Sequence, residues 1–148
     1  MALQIVYNLR GGGSPVAAPD DNSRFHAEGA DLDEGVAVKV SASGSAGGTG
    51  EAEKAAATGV DAVAITAAEA DENDEVRLQW LLPGDVLKGE ADAELEVGDT
   101  CQFNSDLDGF DNGTGTNILV IRTEEDNDED HKVVYGVLKS AGLYADAP

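Results

Sequence analysis

The chain has 148 residues, in which 30 aspartates and glutamates stand against 9 lysines and arginines, for a net charge of -21 at pH 7. That length suits one domain with a modest core, and the charge repels phosphate backbones and anionic headgroups, so neither nucleic acid nor a membrane is an expected partner. No apolar run approaches the roughly 20 residues of a membrane-crossing helix, no basic and then apolar leader opens the sequence, and the single cysteine excludes an intrachain disulfide and a cysteine-built zinc site.

Residues 1–24 read as an extended arm and tether. Leu3, Ile5, Tyr7 and Leu9 alternate with other residues at strand periodicity, and Gly11-Gly-Gly-Ser-Pro15 then ends the segment. These four apolar side chains are the expected capsid or subunit interface of an assembly arm. The competing reading makes the same segment the first strand of the domain.

Residues 25–140 read as a β domain with an internal repeat, copies 32–82 and 95–138, followed by a tail over 141–148. Leu32-Asp-Glu-Gly35-Val-Ala-Val-Lys-Val40 and Leu95-Glu-Val-Gly98-Asp-Thr-Cys-Gln-Phe103 each set a turn around glycine before a strand, 63 positions apart. A Gly-rich loop follows in each copy, 41–59 and 104–117. Then come short strands at Val63–Ile65 and Ile118–Ile121, acidic hairpins at Glu69–Glu75 and Glu124–Asp130, and alternating strands at Val76–Trp80 and Val133–Val137. Between the copies, Leu82-Pro-Gly-Asp85 marks a turn and Val86-Leu-Lys88 a connecting strand. The Ala-rich stretch Glu51–Thr58 is read as a loop or a short helix. Many short strands separated by turns predict an all-β fold, a small barrel or sandwich made of two similar β units with an extended N-terminal arm.

Candidate chemistry is sparse. His26 and His131 sit in no metal-binding spacing, and Cys101 alternates on a strand as a buried thiol, with no histidine placed to activate it. Gly44-Ser-Ala-Gly-Gly-Thr-Gly50 lacks the Gly-Lys-Ser/Thr ending of a phosphate loop and reads as a mobile loop. Asp106, Asp108 and Asp111 have the spacing of an open cation loop, so a divalent ion, calcium or magnesium, is one expectation and a hairpin turn built on Asx hydrogen bonds the other. No other cofactor and no enzymatic activity are expected.

The composition is similar to that of haloarchaeal proteins: aspartate exceeds glutamate, lysine is scarce, and alanine and glycine replace large apolar residues. Molar salt shortens the Debye length to about 3 Å, which screens the self-repulsion of such a chain. The phrases Leu32-Asp-Glu-Gly35-Val-Ala-Val, Leu82-Pro-Gly-Asp-Val-Leu-Lys88 and Leu95-Glu-Val-Gly98-Asp-Thr, with the strand Val133–Leu138, resemble head decoration proteins of tailed viruses. The resemblance implies a small β-barrel protein that stabilises an icosahedral capsid by binding major capsid protein as a homotrimer, on the virion surface, after assembly in the host cytoplasm; the acidic composition would place that host among haloarchaea. The alternative is a cellular halophilic binding module of the same fold for a small ligand or polymer, which calls for a concave apolar pocket.

Overall fold

The computed structural model describes residues 2–7, 25–41, 50–125 and 132–139. In chain order its strands are β1 (Gln4–Tyr7), β2 (Phe25–Ala27), β3 (Ala37–Val40), β4 (Gly50–Lys54), β5 (Ala64–Thr66), β6 (Glu75–Val76), β7 (Leu78–Trp80), β8 (Val86–Ala91), β9 (Thr100–Phe103), β10 (Phe110–Asn112), β11 (Ile118–Glu125) and β12 (Lys132–Leu138), with a 3-10 turn at Ala57–Gly59. The fold is all-β, as expected.

The same strand pattern forms twice, and each unit begins one strand earlier than the sequence copies 32–82 and 95–138, with β2 and with β8, the strand expected to connect them. In the second, β8, β10, β9, β11 and β12 follow one another and β12 returns to β8, which closes a five-stranded barrel. The first gives an open, half-barrel sheet in the order β6-β2-β4-β3-β5-β7. Its edge strands β6 and β7 are separated by Arg77 alone and together stand where β12 stands in the other copy. In both copies the first strand pairs parallel to the third, through Ala27 with Ala52 and through Ala91 with Phe110.

Individual hydrogen bonds repeat as well. Glu28 donates its N–H to Ala52 and Asp92 to Phe110; Gly35 donates to Thr66 and Gly98 to Val120; Thr66 donates to Val36 and Val120 to Asp99, all between 2.8 and 3.1 Å. Gly35 and Gly98 both have positive φ, 73° and 97°. That is the left-handed conformation glycine enters at little cost, so the recurrent glycine sets the turn before β3 and β9.

The turns carry a second shared device. Asp85 and Asp99 each accept, at 2.9 Å, the backbone N–H of the residue three places earlier, Leu82 and Glu96. Each also returns its own N–H to that residue's carbonyl. A carboxylate thereby closes the turn whose third position is glycine, the role short acidic side chains play in turns. The Leu-Pro-Gly-Asp phrase is also tied to the end of β12, since Gly84 donates to the Leu138 carbonyl at 2.7 Å and Leu138 donates to Asp85 at 2.9 Å.

Where they pair, at Ala37–Val38 and Ala64–Ile65, strands β3 and β5 are buried on both faces. Val38 and Ala64 point into the half-barrel with Ala27, Leu32, Ala52, Ala70, Val76 and Leu78, whereas Ala37 and Ile65 join a larger core with Phe103, Phe110, Leu87, Ile118 and Leu138 of the second barrel. Period-2 alternation thus shares one strand pair between two cores and unites the two units. Thr116 adds a polar link: its hydroxyl accepts the Phe103 N–H at 3.1 Å and donates to the carbonyl of Thr58.

The structure corrects three local expectations. The loops 41–59 and 104–117 contain β4 and β10, which their glycines concealed; Ala52 and Phe110 on them are fully buried. The stretch Glu51–Thr58 is neither wholly loop nor α-helix, because it begins inside β4 and ends in the 3-10 turn. The N-terminal segment does not stand clear of the core. Strand β10 pairs with β8 at Ala91 alone and leaves the edge at Val86–Lys88 open. Residues Gln4–Tyr7 fill that edge in antiparallel register, Leu3 donates its N–H to Gly35 at 3.0 Å, and Leu3 is 2% exposed within the core. Leaving that apolar surface in water would cost free energy that docking recovers. Leu9 and the tether lie outside the described residues.

Candidate interaction face

Along β8 and β12, Leu87, Val134, Gly136 and Leu138 point into the barrel, so the residues between them face outward. Register then sets rows across four strands. Tyr7 on β1 pairs with Val86 on β8, Val86 with Val137 on β12, and Val137 with Leu119 on β11. All four are part-exposed or exposed, and together they form an apolar row across the sheet.

The neighbouring row is basic and aromatic. Gln4 pairs with Lys88, Lys88 with Tyr135, and Tyr135 with Arg122. The Lys88 ammonium lies 5.7 Å and the Arg122 guanidinium 5.0 Å from the Tyr135 ring centroid, so cations from both flanking strands bear on one ring. Such contacts are worth about 0.5–1 kcal/mol each when exposed. A third row, Glu124, Val133 and Glu90, borders the face; Val133 is buried, and Glu124 is ion-paired with the Arg122 guanidinium.

Register shifts enlarge the apolar row at both flanks. One between Ile5 and Tyr7 leaves Val6 as an extra residue on β1; the other, between Val120 and Arg122, leaves Ile121 on β11. Val6, Tyr7 and Ile121 are 45%, 57% and 43% exposed, and they make up half of the large apolar residues so exposed among those described. The shift on β1 also breaks the alternation expected of the segment: Leu3 and Ile5 pack inward and Tyr7 faces solvent. The expected grouping of these side chains on one face therefore fails, and Val86, Leu119, Tyr135 and Val137 come together only through pairings between strands.

The other candidates divide as follows. Asp106, Asp108 and Asp111 are not gathered into a metal-binding group, and no group of three or more such ligands occurs among the described residues. Asp108 accepts from the Asn104 side-chain amide at 2.9 Å, its N–H is held by the Asn104 oxygen at 3.0 Å, and Asp111 caps the N–H of Asn112. These side chains fasten a hairpin turn, the alternative to a cation loop. Cys101 is fully buried, and desolvation, with a smaller contribution from Asp99, pushes its thiol up to about 12. His26 lies on β2 opposite Glu51 and Glu75. His131 and most of the Gly44–Gly50 loop fall outside the described residues.

A cleft of about 270 Å³ lies between β1 and the half-barrel, lined by Leu3, Gln4, Ile5, Glu34, Thr66, Ala67 and Gln79. It falls just below the 300–1,000 Å³ usual for small-molecule pockets, and its walls are largely polar rather than apolar.

No protein-family model matches the chain, and neither does any curated protein sequence. Among solved structures, the head fiber gp8.5 N base of bacteriophage phi29 is similar, with a TM-score of 0.56 and 15% sequence identity over 80% of this chain and 93% of that one. At that identity the likeness is one of fold.

Proposed function

We propose that the chain is a structural virion protein that decorates and stabilises an icosahedral capsid by binding major capsid protein, as a homotrimer, in a tailed virus of a haloarchaeal host. The observation that carries this reading is the likeness of fold to a phage head fiber base along most of both chains. The decoration phrases of the sequence and the apolar row on the outer face of the second barrel support it. Such a protein needs no bound cofactor; its work is to bury surface against a shell. The acidic remainder of its surface would keep it soluble in molar salt. Assembly in the host cytoplasm and display on the capsid exterior complete the proposal.

The experiment is quantitative mass spectrometry of purified virions together with the mass of the isolated chain in molar salt. A copy number comparable with the capsid subunit and a trimer mass are expected. Absence from virions would overturn the reading, and a monomer in solution would overturn the trimer.

A further inference from the structure

Resting on the homotrimer of the proposed function, we infer that the groove along β8 is a strand-acceptor site, and that in the trimer it receives the segment Ala2–Tyr7 of a neighbouring copy, so that each copy completes the core of the next. The groove is built for that segment. Gly89 lies inside β8, where a residue without a side chain weakens a strand unless another group must come close; a methyl group there would stand 3.0 Å from Cδ2 of Leu3. On Gly35 a methyl group would stand 2.7 Å from the Leu3 carbonyl oxygen and run into the Cβ of Ala2. The Gly35 carbonyl accepts the Leu3 N–H, and Val86–Lys88 pair with Gln4–Tyr7. The groove thus offers a ladder, a backbone acceptor and room for two side chains at a fixed spacing.

Two observations choose the occupant. The fit is to this sequence: a foreign strand in the groove would displace Leu3, which is 2% exposed, into water. Exchange between copies keeps one segment for every groove and preserves each contact. The connection is also longer than docking within one chain requires. Phe25 on β2 meets Trp80 with ring centroids 5.4 Å apart, the turn Leu82–Asp85 leads from Trp80 to Val86, and Val86 pairs with Tyr7. That path bounds the gap from Tyr7 to Phe25 at about 40 Å, whereas the connecting residues 8–24 can span about 60 Å. Copies held side by side in a trimer bring a neighbour's groove within that reach, and docking into it is then effectively intramolecular.

The test uses introduced cysteines. Gln4 and Lys88 are partners in the antiparallel ladder, where facing Cα atoms lie about 4.5–5.5 Å apart, within disulfide range. Both lie on the outward side of the sheet, and the native Cys101 is buried. Full-length Gln4→Cys and Lys88→Cys chains with different tags are refolded together in molar salt, checked by circular dichroism, sized and oxidised. A disulfide joining the two tagged chains within a trimer is expected. As a second measurement, the double variant Gln4→Cys/Lys88→Cys should give a species in which all three chains are covalently linked. A trimer whose double variant closes within single chains, while the mixed single variants stay unlinked, overturns the exchange and leaves the trimer standing. A folded trimer that forms neither link overturns the exchange as well. A monomer mass overturns the trimer and the exchange with it.

Discussion

A methyl group on Gly59 would stand 2.2 Å from Cδ2 of Phe103. Gly59 ends the 3-10 turn that follows the half-barrel strand β4, and Phe103 ends β9 of the closed barrel, so their contact is a point where the two units press together. Gly59 also has a φ of 69°, a left-handed conformation costly for any residue with a Cβ. Clash and strain together should make Gly59→Ala cost about 3 kcal/mol. At Gly29, where φ is 74° but a Cβ would meet nothing within 4 Å, the same substitution should cost only about 1 kcal/mol. Denaturant unfolding in molar salt measures both; equal midpoints would refute the packing argument.

The Thr116 hydroxyl both accepts and donates within a buried site, so Thr116→Val leaves the Phe103 N–H and the Thr58 carbonyl without it. A loss of about 2 kcal/mol is expected, with Thr116→Ser recovering most of it. If Ser and Val cost the same, the hydroxyl is not the stabilising group.

Glu51 on β4 should make stability depend on pH. Its carboxyl is held above the ordinary value by burial first, then by the charge of Glu28 and a hydrogen bond to it, with His26 acting in the opposite sense. A raised acid binds its proton more tightly in the folded chain than in the unfolded one. Its favourable contribution is therefore present at low pH and lost as pH rises through the carboxylate range. Glu51→Gln should flatten that part of the profile and raise the thermal midpoint at pH 7. Parallel melting profiles for wild type and variant between pH 4 and 7 would count against this account.

Cys101 reports folding directly. A fully buried thiol with its ionisation pushed up to about 12 offers almost no thiolate at pH 8. Alkylation should be negligible in molar salt and should accelerate sharply on dialysis to tens of millimolar salt, where a net charge of -21 is no longer screened. Equal protection at both salt concentrations would show that the fold does not need salt.

Leu3→Ala should destabilise the isolated chain by about 3 kcal/mol, because Leu3 is 2% exposed within the larger core. Tyr7→Ser, on the outward side of the shifted register, should leave the midpoint within about 0.5 kcal/mol. Urea titrations distinguish them. A Leu3→Ala variant as stable as wild type would restore the picture of an arm outside the core.

Fold class and duplication are legible in local features of the chain. Leu32 and Leu95, Gly35 and Gly98, Cys101 on its alternating strand and the Leu82–Asp85 turn act locally, through backbone conformation and period-2 burial, and local rules read such features from one segment. Strands β4 and β10 escaped because Ala52 and Phe110 are buried by partners distant in the chain, amid glycines that mark loops when taken alone. The N-terminal segment was legible as a strand, but whether it docks was settled by the vacancy β10 leaves along β8. The candidate face is tertiary throughout: Tyr7, Val86, Val137 and Leu119 are neighbours because three independent registers align them, and Lys88 and Arg122 meet over Tyr135 for the same reason. Pairing across strands, not spacing along the chain, decides which side chains share a surface.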